Sequence, residues 1–171
     1  MQKPNFNWKW GDTCPITIQA SKNDVIHAGD LIWMNTSNKG APASAFAYDT
    51  SESKTQENFV SKFLGVAMQD SGAGDERFIR VATTGTFEFD DVSADISAQN
   101  LGTFMGPVLN SDDSYLENRS LAVVTGSRLA IGRITHTESV PTGKALVAII
   151  STVMRGGAAG SDPTLISESN S

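Results

Sequence analysis

The stretch "QDSGAGDERF" (69–78) contains Gly72-Ala73-Gly74, the part of the chain most like a ligand loop. A P-loop needs a Lys-Ser/Thr pair after its glycines, and a dinucleotide fingerprint needs a third glycine opening a helix. Here Gly74 is followed by Asp75 and Glu76, which repel phosphate, and then by strand residues. The stretch therefore predicts a hairpin turn whose glycines accept positive φ. His27 and His136 are the only imidazoles, and neither has a His or Cys partner two or four residues away. A metal there would need distant carboxylates. The acid pairs Asp90-Asp91 and Asp112-Asp113 lie outside any D-x-D-x-D-G loop, so they predict solvated turn caps, not a calcium site. No serine sits in a G-x-S-x-G elbow. Cys14 is the single cysteine, which excludes an internal disulfide and a thiolate zinc site. The expectation is a protein without catalytic residues, cofactor or bound metal.

Aromatic residues stand out more than polar ones. "PNFNWKWG" places Phe6, Trp8 and Trp10 at alternate positions, so an extended segment shows three rings on one face. Two readings stand. The segment is a first strand docking its aromatic face into the core, or an arm that anchors in a neighbouring subunit. Aromatics suit an anchor because each buries much area for little rotamer entropy.

The elements that would carry these residues read as strands. "PITIQAS" (15–21) alternates Ile16 and Ile18 with polar neighbours, the period of a half-buried strand. Further runs are 28–35, 63–69, 77–89, 106–110, 120–126, 128–137 and 144–154, each bounded by Gly, Asn, Asp, Ser or Pro. Such spacing predicts an all-β, mainly antiparallel fold with little helix, a compact barrel or sandwich. The segment "SESKTQENFVSKFLG" reads equally as a short helix, with Phe59, Val60 and Phe63 at helical spacing and Ser51 or Ser53 as cap, or as an exposed loop. "VSADISAQNLGTFMG" (92–106) has room for one helical turn ending at Gly102.

The chain also repeats itself loosely. Leu64-Gly65-Val66 aligns with Ile131-Gly132-Arg133, "SGAGDE" with "SVPTGK", and "RFIRVATTG" with "ALVAIISTV", which predicts two similar β-units in one domain. The 171 residues suffice for one domain with its own core. The organisation read from this is an arm over 1–14, a β-rich domain over 15–155 and a polar tail over 156–171.

Net charge is −6, unevenly spread. Residues 1–118 hold eight basic and sixteen acidic side chains, whereas 119–155 hold Arg119, Arg128, Arg133, Lys144 and Arg155 against Glu138 alone. Scatter over solvated strand faces accounts for this. A surface that meets a neighbour of opposite sign accounts for it too. No basic run interleaves with aromatics, which argues against nucleic acid. The longest apolar run, 145–154, is short of the ~20 residues of a membrane helix, and the N-terminus lacks an apolar signal core, which predicts a soluble protein made in a cytosol.

Read in order, "HAGDLIWMN", "FLGVAMQDSGAGDERFIRVATTGTFEF", "GPVLN" and "AIGRITHTESVPTGKALVAII" resemble the small capsid cement, or decoration, proteins of tailed bacteriophages. The matching positions are Gly29-Asp30, Gly65, Gly74, Val81, Gly85, Phe87, Gly106, Val108, Gly132, Gly143 and Val147, over about residues 25–152. The glycines are the family's turn positions. The resemblance implies a β-rich domain added to the outside of an expanded head, commonly as a homotrimer, with the major capsid protein as partner. An N-terminal arm often touches the shell, which would make Phe6, Trp8 and Trp10 anchors. The insertion at 36–62 and the tail depart from the family pattern. The rival expectation is a carbohydrate-binding or adhesin-like β-sandwich using Trp33, Tyr48 and Tyr115.

Overall fold

The computed structural model describes residues 6–93, 100–138 and 140–154. In chain order it contains β1 (Trp8–Trp10), β2 (Ile16–Gln19), β3 (Leu31–Met34), β4 (Gly40–Pro42), α1 (Glu52–Lys62), β5 (Phe63–Ala67) and β6 (Phe78–Ala82). Then follow β7 (Thr84–Asp91), β8 (Phe104–Leu109), β9 (Leu116–Val123), β10 (Gly132–His136) and β11 (Lys144–Ile150). The expected all-β architecture is present, and of the two forms it is the barrel. One sheet runs β1-β7-β11-β10-β8-β9, and β9 returns to pair in parallel with β7 through Asp90–Ser120 and Asp91–Leu121. This closes five strands and leaves β1 outside. The other sheet runs β2-β6-β5-β3-β4, its ends tied by the parallel bridge Ala20–Gly40.

Both five-stranded units follow one plan, in the spatial order first-fifth-fourth-second-third. Ile32 faces Gly65 as Met105 faces Gly132, and Val66 faces Ala82 as Arg133 faces Ala148. Gly29 N–H donates to Ala67 O while Ala67 N–H donates to Asp30 O; Gly102 with Ile134, and Ile134 with Thr103, repeat this pair of bonds. Even the closure repeats: Ser21 N–H donates to Gly40 O, as Val92 N–H does to Leu121 O. The last strand of the first unit runs into the first strand of the second at Thr83. This residue breaks the run 77–89 into two strands because its N–H and hydroxyl donate to Thr13 O and Cys14 O, while its own carbonyl accepts from Ser151.

The structure adjusts the register read from sequence. Gly65 does answer to Gly132, but Ala82 answers to Ala148, two residues from the sequence pairing. Gly29 answers to Gly102, so Gly106 falls opposite the place of Trp33. The segment 36–62 is only partly an insertion, because its β4 is the counterpart of β9. Gly65 and Gly132 recur for a steric reason. A Cβ on either would overlap the carbonyl oxygen of the alanine opposite, Ala82 or Ala148.

Helix, not loop, is what forms at 52–62. Ser51 caps it, its hydroxyl accepting from Lys54 N–H at 3.1 Å. Thr55, Gln56, Phe59 and Val60 make the buried stripe, while Phe63 already belongs to β5. Phe59 meets Phe46 edge-on at 5.4 Å, and Phe46 meets Trp33 at 4.7 Å. The largest core joins Leu31, Phe63, Val66 and Ala82 of the first unit to Phe87, Met105, Ile131 and Val147 of the second. A smaller core of Ile32, Leu64, Ile79 and Val81 fills the first unit. The suggested helical turn before Gly102 falls mostly on 94–99, outside the described residues.

Candidate functional site

The aromatic segment lies along the second barrel as β1, antiparallel to β7. Asn7 fixes it, accepting from Glu88 N–H through its backbone and donating from its amide to Glu88 O. Phe6 packs edge-on against Phe87 at 5.6 Å. The three rings do not share one face, because the register shifts between Trp8 and Trp10: Trp8 lies opposite Phe87 and Trp10 opposite Thr86. Trp8 donates its indole N–H to Gly11 O. Trp10 reaches across β11 to the His136 ring on β10, 4.3 Å away and nearly perpendicular. Leu146 lies between them, opposite both Glu88 and His136, and is buried. Phe6 is thus a core anchor of this chain, while Trp8, on the Phe87 side of β1, and Trp10, on the other side, remain 43% and 41% exposed.

The basic residues of the C-terminal part do not gather into one free patch. Arg119, on β9, donates from Nε to Asp30 at 3.0 Å and from Nη2 to Ala28 O at 2.9 Å. Asp30 is only 2% exposed and also accepts from His27 N–H, so this clamp ties the second unit to the first turn of the other. Arg128 lies 3.8 Å from Glu57 of α1, and the Arg133 guanidinium lies over the Phe104 ring at 4.2 Å. Lys144 pairs across strands with Asp90, and that hydrogen bond, opposed by slight desolvation, holds its ammonium above the ordinary lysine value. Arg155 lies outside the described residues. The clamp went unread in the sequence, since Asp30 and Arg119 stand 89 residues apart.

The turn glycines sit where the fold bends or crowds. Gly29, Gly65, Gly74, Gly85 and Gly143 have positive φ, and Gly106, like Gly132, faces a carbonyl, that of Leu129. The "SGAGDE" stretch is a connection between β5 and β6 docked on the loop after β2. Ser71 bridges Ile26, and Gly74 N–H donates to Lys22 O. Asp75 turns inward on the stretch itself, accepting from Gly72 N–H. Among the described residues no three His, Cys, Asp or Glu side chains converge. Of the rival aromatics, Trp33 is packed on Phe46 and donates to Pro42 O. Tyr48 and Tyr115 are both exposed beside the isolated Ala47–Tyr115 bridge.

A surface cavity of about 270 Å3 opens beneath the β10–β11 turn, lined among others by His136, Val140, Pro141 and Lys144. The candidate surface is aromatic: Trp8 and Trp10, exposed on the strand that pairs with β7 at the barrel's edge. Compared with family models, curated proteins and solved structures, the chain matches none.

Proposed function

We propose that the chain is a non-catalytic capsid decoration protein, a cement that binds the outer surface of an expanded tailed-phage head, self-associates as a homotrimer and contacts the major capsid protein. The resemblance in residues 25–152 motivates it. The observation that carries it is the pair of tryptophans held on β1 at the edge of the barrel, each about 40% exposed. Such rings lose little entropy when they bury, which suits anchoring. A clamp that binds only the expanded shell stabilises it by mass action against internal DNA pressure. Many copies on one head make each modest contact count.

The test is electron microscopy of heads assembled with and without the protein. Expected are density on the outer shell and heads that survive heating or chelation longer when it is present. Trp8→Ala with Trp10→Ala should lower occupancy while circular dichroism stays unchanged. A monodisperse chain with sugar affinity and no head binding would instead establish the carbohydrate-binding reading.

A further inference from the structure

We infer that the first β-unit carries a strand-accepting edge on β2, built to take an extended segment of another protein with large apolar residues at alternate positions. The inference goes beyond the capsid reading and does not depend on it.

It follows from the internal correspondence. Ile16 faces Val81 as Phe87 faces Val147, so Ile16, Thr17, Ile18 and Gln19 occupy the places of Phe87, Glu88, Phe89 and Asp90. In the second unit that edge is filled, Glu88 exchanging backbone and side-chain bonds with Asn7 beside β1. In the first unit no described strand lies beside Ile16–Ile18, and β4 reaches this edge only at the Ala20–Gly40 bridge. Ala20 N–H points to Arg77, just before β6, and Ser21 N–H points the other way, to Gly40. By the alternation of an antiparallel ladder, the N–H and C=O of Thr17 and Gln19 share the direction of Ser21, away from β6. Among the described residues no backbone group answers Thr17 or the Gln19 N–H, while the Gln19 carbonyl is taken up by Gly40 at the Ala20–Gly40 bridge.

Two further features set this edge apart. Ile16 and Ile18 are only partly buried, whereas their counterparts Phe87 and Phe89 are fully so. At Phe87 β1 covers the second site, and no described strand does the same at Ile16. Residues 15–21, "PITIQAS", also hold no charge. Free edges are normally blunted by charged side chains or bulges. β1, itself an edge, carries both, in Lys9 and the shift between Trp8 and Trp10. An edge whose own residues are uncharged, met by a charge only where Lys39 donates to the Gln19 side chain at its end, and with its inner face half covered, has the character of an interface. The chemistry of the occupant is read from β1: an extended segment, antiparallel, with a ring-bearing residue to cap the core as Phe6 caps Phe87.

The probe is a synthetic peptide copying residues 1–11, added to the full chain and followed by residue-resolved amide hydrogen exchange. Without peptide, the Thr17 and Gln19 amides should exchange freely while Glu88 is protected. With peptide, Thr17 and Gln19 should slow by roughly tenfold or more, as one or two ladder bonds would give. Thr17→Pro should abolish that effect, because proline removes the outward N–H yet is tolerated on an edge. Thr17→Val should retain it. Protection confined to Thr86 and Glu88 would mean exchange with β1 and would overturn the inference, as would protection of Thr17 before any peptide is added. Sedimentation showing a dimer that Thr17→Pro dissolves would overturn it too, since the edge would then be a self-interface. The wild-type exchange pattern decides the matter even if Thr17→Pro folds poorly.

Discussion

Asp30 shows how much one residue can hold in place. It is buried at a turn, and its carboxylate is answered by Arg119 Nε at 3.0 Å and by His27 N–H. Removing Arg119 leaves a buried charge half satisfied, so Arg119→Ala should destabilise by about 3 kcal/mol in denaturant titration. Adding Asp30→Asn to it should cost much less than the two single changes summed, because the pair acts as a unit. An additive result would mean that the contact contributes nothing. Lys144 behaves differently, being exposed and paired with Asp90. Its pKa is raised by that bond, so its contribution is fully present below the ordinary lysine value of 10.5 and is lost as pH rises above it. Lys144→Met should therefore match the parent in its loss of thermal stability from neutral pH to about pH 9, and lose less than the parent above the lysine value of 10.5. A parent and variant with parallel alkaline profiles would remove the pair from the account. The residue types at these sites were plain in the sequence, but their partners were not, since pairing over 89 or 54 positions is a property of the closed fold.

At the scale of elements, local chemistry was most legible where it is self-sufficient. Turn residues bounded nearly every strand, and Ile16 and Ile18 announced β2 by alternation alone. The helix was an open choice in sequence because its apolar residues are few. Its cap and its packing on Phe46 resolve it. Ser51→Ala should lower stability by about 1 kcal/mol, the usual worth of an N-cap, and a urea titration would read it. No change would mean the helix is held by Phe59 and Val60 alone. Strand boundaries were harder to see. The run 77–89 looked continuous because Thr83 is as β-prone as its neighbours. What breaks it is a set of bonds to Thr13, Cys14 and Ser151 that no local pattern encodes. The repeat was visible through Gly65 and Gly132, where a carbonyl leaves no room for a side chain. It slipped afterwards because the intervening turns differ in length.

The molecule as a whole consists of two similar units joined at Thr83, which raises the question of whether they fold separately. Tandem units with independent cores give separate transitions, as nearest-neighbour repeats do when their interfaces are weak. Here the larger core takes Leu31, Phe63, Val66 and Ala82 from one unit and Phe87, Met105, Ile131 and Val147 from the other. The helix of the first unit bonds the second through Gln56 Nε2, which donates to Pro107 O. Arg119 crosses in the other direction to Asp30 and Ala28. Opening either unit alone would expose half of a shared apolar core and strand these polar contacts, so neither has a stable state of its own. Calorimetry should give one transition whose van't Hoff and calorimetric enthalpies agree. Arg119→Ala should move that single transition to lower temperature without splitting it, since the shared core remains. Two resolved transitions in the parent chain would show that the units are joined in sequence but not in energy, and the small core around Ile32 and Ile79 would then be the part that melts by itself.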